Sequence, residues 1–214
     1  MLMKRSLLVS SLTSLLAFSL VACGNKEPPK TESAQQTQQT SQASQPVQPE
    51  PPKPLSKQEL NTLVSKVMKD NFRARSGNCW LAKNSYNHTY CLKVKSVNSV
   101  PNPEGHPESV YILAMGDAVN QEEAAHAEGG MTAMFIVQPE PEGGYLTIAK
   151  KGPFEDGGGW GAGGEGKFIP LGKGQYGWKI VTGFFNQGVG EENTVIYGLK
   201  NAQIVELSHK RKNF

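Results

Sequence analysis

Cysteine is scarce in this chain and no apolar run reaches bilayer length. Three cysteines stand in 214 residues, enough for one pair with one thiol left over. The longest apolar stretch, about Leu7 to Val21, is interrupted by Ser10, Ser11, Thr13 and Ser14. It falls short of the roughly 20 apolar residues that a helical span requires. Charge of one sign is missing too: 22 Lys and Arg face 19 Asp and Glu, a net +3, which does not suggest nucleic-acid binding. There is no His-Glu-x-x-His pair for zinc, and Gly166-Lys167 is followed by Phe168 where a phosphate loop needs Ser or Thr to hold magnesium. No metal or cofactor is therefore expected, and the reading points away from an enzyme. With 37% hydrophobic residues, the length permits one folded domain plus an unfolded segment. No internal repeat stands out.

What is present starts at the amino terminus. Lys4 and Arg5 precede the short apolar run, which ends in Leu20-Val21-Ala22-Cys23; a basic start, an apolar middle and small residues before a cut mark a secretory signal peptide. The last four residues resemble the lipobox of bacterial lipoproteins. That resemblance covers about the first tenth of the chain and implies removal of residues 1–22. It further implies a diacylglyceryl group on the Cys23 thiol, an acylated amino terminus of palmitate type, and a protein held on membrane through its N-terminal lipid. Two or more acyl chains give stable anchoring where one binds only reversibly. In a cell with an outer membrane, Gly24 after the lipidated cysteine implies the outer membrane. The competing reading is an ordinary secretory signal with a chance cysteine.

From Gly24 to Leu55 the composition shifts to Gln, Pro, Thr, Ser, Glu and Lys, too poor in apolar residues to offset ordering entropy. Residues 23–55 are read as the lipidated cysteine and a disordered tether, stiffened by prolines in its later half. A domain is predicted over 56–208. Ser56 and Glu59 form a capping-box pair, with Leu55 and Leu60 placed as a hydrophobic staple. Leu60, Leu63, Val64, Val67, Met68 and Phe72 then follow helical spacing, so one amphipathic helix is predicted from 57 to about 72.

Beyond it the period becomes that of strands. Tyr90–Val97 alternates, while Val110–Met115 and Met131–Val137 are apolar on both faces and are read as central strands. Tyr145–Ala149, Tyr176–Phe184, Thr194–Leu199 and Gln203–Leu207 bring the number to about seven. The expected fold is α+β: one N-terminal amphipathic helix packed on a mostly antiparallel sheet or curled half-barrel. Residues 209–214, rich in Lys and Arg, are read as a basic tail, solvated at the terminus rather than resting on anionic headgroups.

Charge is segregated along the domain. Residues 56–103 hold 8 basic against 2 acidic side chains, 104–165 hold 2 against 11, and 166–214 hold 7 against 3. This suits either internal pairing or a two-signed surface.

With Cys23 consumed by lipid, Cys79 and Cys91 remain as a pair in an oxidising, exported setting, and a disulfide between them is expected. The alternative starts from Gly77-Asn78-Cys79-Trp80, which resembles the Gly-x-Cys-Trp around the nucleophile of papain-like cysteine proteases; it implies a periplasmic hydrolase using Cys79 with His126 or His106. Glu122 and His126, if helical, would share a face as two metal ligands, but the plainer reading of this segment is a polar connection. Seven glycines between Gly157 and Gly166 surround Trp160. With Tyr176 and Trp178 it forms the candidate ligand-binding set, aromatic faces able to stack on sugar rings or on a partner's apolar side chains; the plainer reading is a mobile or locally folded hairpin connection whose Trp docks on its own domain. The expected function is a lipid-anchored, non-enzymatic envelope lipoprotein with an envelope protein or glycan as partner, or a structural spacer with none.

Overall fold

The computed structural model describes residues 54–75, 77, 79–102, 107–186 and 188–214. The signal peptide, Cys23 and the tether up to Lys53 lie outside these residues, as does His106. Helix α1 (Lys57–Asn71) starts as its sequence dictates. The Ser56 side chain accepts from the Glu59 backbone N–H, and the Glu59 carboxylate accepts from that of Ser56 at 2.8 Å. It ends where Phe72 turns extended, putting the Phe72 ring edge-on to Phe135 at 6.1 Å between centroids.

Ten strands follow. β1 (Arg73–Arg75), β2 (Cys79–Lys83), β3 (Thr89–Val100), β4 (Ser109–Ala118), β5 (Met131–Pro139) and β6 (Tyr145–Glu155) form one antiparallel sheet in chain order. β7 (Glu165–Gly172), β8 (Gln175–Asn186), β9 (Val189–Lys200) and β10 (Gln203–Asn213) form a second, ordered β10-β9-β8-β7. Within each sheet, neighbouring strands are consecutive in the chain and antiparallel.

The core explains the arrangement. Side chains alternate faces along a strand. In β4, Val110, Ile112 and Ala114 join one buried cluster and Tyr111, Leu113 and Met115 the other; in β5, Ala133, Phe135 and Val137 separate in the same way from Met134 and Ile136. The first cluster also holds Tyr90 and Leu92 of β3, and Leu63, Val64, Val67 and Met68 of α1. The second holds Trp178, Ile180, Tyr197 and Ile204 from the second sheet.

The expected α+β fold, one helix packed on a mostly antiparallel sheet or curled half-barrel of about seven strands, is thus corrected. Among the described residues the protein is mostly antiparallel β, in two sheets of six and four strands with a single α-helix. The physical reason lies in β4 and β5: strands apolar on both faces need two covers, and a four-turn helix supplies part of one. Three strands were not anticipated. β7 carries Gly166 and Pro170, which read as breakers but are tolerated because β7 is an edge strand. β1 and β2 are too short to show a period. The basic tail is also revised, since His209–Asn213 are the last residues of β10, paired with Val195–Glu191 of β9.

Phe135→Ala should cost about 3–5 kcal/mol in equilibrium urea unfolding because it empties the first cluster, while Phe185→Ala, at a position 69% exposed, should stay within about 0.5 kcal/mol. Similar losses from the two substitutions would contradict this core.

Candidate functional site

Two connections lie against each other, and both are needed to build the site. Residues 119–130 link β4 to β5, and residues 156–164 link β6 to β7. The Ala118 N–H donates to the Gly161 carbonyl and the Gly161 N–H to that of Glu128, both at 2.8 Å. The Gly130 N–H reaches the Gly157 carbonyl at 3.2 Å, and the Gly163 N–H donates to Asp117 Oδ1 at 2.9 Å. Backbone meets backbone here, which accounts for the glycines. A Cβ on Gly130 would lie 2.0 Å from Gly163 Cα, and Gly161 takes φ +70° with a Cβ position 2.5 Å from that of Ala118. The glycine run is therefore a packed connection.

On one side of this pair lies a carboxylate network. Glu128 is 7% exposed and bonded to His88 Nδ1 at 2.7 Å, with Asn84 Nδ2 at 3.4 Å and the Tyr90 hydroxyl at 3.5 Å. The hydrogen bond from His88 outweighs burial and holds the Glu128 carboxyl below its ordinary range. Tyr90 moves the other way, to about 12, through burial and then the nearby charges of Glu155 and Glu128. Asn84 Nδ2 also donates to Glu155 at 3.1 Å. Asp156 accepts from the Thr132 hydroxyl while its Oδ1 is buried without a protein partner. Burial, with Asp117 and Glu155 adding repulsion, raises it to about 6.

On another side a cleft of about 860 Å³ opens, walled by Lys93 and Lys95 of β3 and by Asp117, Glu122 and Glu123. A smaller cavity of about 300 Å³ shares Val119, Asn120 and Glu123 with it and reaches His88. By alternation, Cys91 and Lys93 sit on the face of the six-stranded sheet that carries Leu113 and Met115. The cleft is thus the part of that face beside Met115 and Gly116, at the end of β4. Among the described residues, Lys93 and Lys95 make no ion pair with the acids opposite. The segregated charge blocks meet here as a two-signed surface suited to a polar ligand bearing both charges or many hydroxyls.

The sequence-predicted residues are distributed differently from expectation. Cys79 and Cys91 are joined as a disulfide, Cα atoms 5.3 Å apart, so the Cys79 sulfur is engaged, and His126 rests against the Trp160 ring. Trp160 itself is 46% exposed at φ +57°, presented by the glycine connection. Trp178 is fully buried beside Tyr111, and Tyr176 stacks on Phe168 at 5.4 Å. Trp178 belongs to the second core cluster and half-buried Tyr176 packs against it, so of the three only Trp160 is exposed. Gln121–Glu123 is a 3₁₀ turn, which ends at Ala124, so Glu122 and His126 do not share a helical face. Among the described residues no group of three or more His, Cys, Asp or Glu could hold a metal. Sequence reasoning missed Asn84, His88, Glu128 and Asp156. Their polar types stand in turns and connections, with Glu128 at 40 or more residues from Asn84 and His88, and the one signal was Glu128 placed against two glycines before an apolar strand. Comparison with known protein families, curated proteins and solved structures finds no match.

Asp156 carries a pH prediction. Between its ordinary value of 3.8 and about 6 the native state binds a proton that the unfolded chain has released, so this group's contribution to stability falls as pH rises through that window. Asp156→Asn should gain on the order of 2–3 kcal/mol over the wild type at pH 7 and lose that advantage near pH 4, read from denaturant midpoints. An equal difference at both pH values would remove the titration from the account.

Proposed function

We propose that this chain is a lipid-anchored cell-envelope lipoprotein, outer-membrane in a cell that has one, whose β domain binds a polar envelope ligand, a glycan or a protein segment, without chemical turnover. The observation that carries the reading is Leu20-Val21-Ala22-Cys23 behind Lys4, Arg5 and a short apolar run. Support comes from the other two cysteines. Cys79 is 5% exposed and bonded to Cys91, the state expected of structural thiols in an oxidising compartment.

The cleft beside residues 117–123 supports the binding half of the reading. A wall of lysines facing a wall of carboxylates, neither neutralised by the other, offers charged and neutral hydrogen-bonding groups to a ligand from two sides. Trp160, held out by the glycine connection, adds an aromatic face for stacking.

Mass spectrometry of the mature protein should find a polypeptide starting at Cys23 with acyl chains attached, and Cys23→Ser should move the protein from the membrane pellet to the supernatant. Thiol titration of the unreduced mature protein should find no reactive thiol. An unmodified amino terminus would overturn the anchor, and one fast-reacting thiol lost in Cys79→Ser would favour the cysteine hydrolase instead.

A further inference from the structure

The outer face of the four-stranded sheet is a second, unassigned surface. The inner face is fixed by Trp178, Ile180, Tyr197 and Ile204 in the core, so the alternate residues point away from it. Register brings Lys167 opposite Lys179, sets Lys210 in the row of Thr194 and Val181, and places Lys212 in the row of Glu192 and Gly183; Lys200 lies opposite Gln203. All five lysines are exposed. The acids on that face are Glu165 and Glu192, and among the described residues none of these lysines has an ion-pair partner. Like charges directly opposite across strands repel, so the Lys167 and Lys179 pair is a cost that an external anion would relieve.

Apolar side chains are interleaved with these charges. Phe185 and Phe214 are 69% and 70% exposed at one end, with Lys212 Nζ 5.8 Å from the Phe214 ring, and Leu207 is exposed near the middle. Val181, Ile196 and Val205 are half-buried between them. Phe214 packs over Gly190 and exchanges two backbone hydrogen bonds with it, so this end of the face is built rather than loose.

We propose that this face docks on an anionic lipid bilayer, as a second contact to the membrane that the Cys23 lipid holds. The inference rests on the anchor reading for the identity of that membrane. Lysines attract anionic headgroups, while the aromatic and aliphatic side chains among them gain by entering the interface; a soluble polyanion would satisfy only the charges. The 30 residues from Gly24 to Lys53 cannot hold the domain farther than about 100 Å from the anchor, which keeps the face at high effective concentration near the bilayer.

The test uses the full chain purified from membranes and reconstituted on vesicles of phosphatidylcholine alone or mixed with phosphatidylglycerol, with lysine acylation read by mass spectrometry. Labelling at Lys167, Lys179 and Lys200 should fall about five-fold or more on the anionic vesicles and recover in high salt, with Lys66 and Lys69 of α1 unchanged. The double variant K210E/K212E should lose the protection. Equal labelling on both vesicle types overturns the proposal. So does equal protection by soluble polyphosphate on neutral vesicles, which would assign the face to a soluble polyanion. The wild-type comparison stands even if the variant misfolds. Failure of the chain to stay with neutral vesicles would sink the anchor reading separately, leaving the anionic arm to report on the face.

Discussion

Burial of β4 and β5 on both faces is the constraint from which the rest of the molecule follows. A strand places successive side chains on opposite sides, so a run such as Val110-Tyr111-Ile112-Leu113-Ala114-Met115 is stable only where both sides are dry. One side is filled from the buried stripe of α1 with Tyr90 and Leu92, the other from Trp178, Ile180, Tyr197 and Ile204. Each fully buried side chain of this kind contributes about 1.5–3 kcal/mol. The two clusters together outweigh any single surface interaction in the molecule.

Two sheets have to be joined, and the joining segment decides where polar chemistry can sit. The connection from β6 to β7 crosses the one between β4 and β5 with backbones in contact, a geometry closed to residues with side chains at Gly130 and Gly161. Because it packs so tightly, it buries the carboxylates beside it: Glu128 is held ionised by His88, whereas Asp156, lacking a cation, is raised. The same contact fixes Asp117 through the Gly163 N–H, and with it one wall of the cleft. The glycine run serves packing at its middle and presentation at Trp160.

The parts legible in sequence were those set by local periodicity. Ser56 and Glu59 marked the helix start, and unbroken apolarity marked β4 and β5 as central. That same unbroken apolarity implied a second cover, and β8, β9 and the start of β10 were read as strands, but not as a sheet of their own: β7 hides behind Gly166 and Pro170, and the end of β10 carries lysines on alternate outward positions that read as a tail. The candidate site was legible only in pieces. The pairing of Cys79 with Cys91 follows from composition, whereas the exposure of Trp160 does not, and Trp178 looks identical to a binding aromatic until Tyr111 and Phe168 are seen around it. Asn84 and His88 reach Glu128 across 40 or more residues and Asp156 reaches Thr132 across 24, pairings that no local pattern encodes.

Segregated charge gains its meaning from the same two-sheet plan. An inner face already filled by aromatic and aliphatic side chains leaves the outer face of the second sheet without a packing role, so its lysines answer only to solvent and to whatever lies outside. The cleft, in contrast, belongs to the other sheet, beside Met115 and Gly116 on the face carrying Cys91 and Lys93. Anchor, basic face and two-signed cleft are compatible for that reason: the surface that would meet lipid and the surface that would meet a ligand are drawn from different sheets.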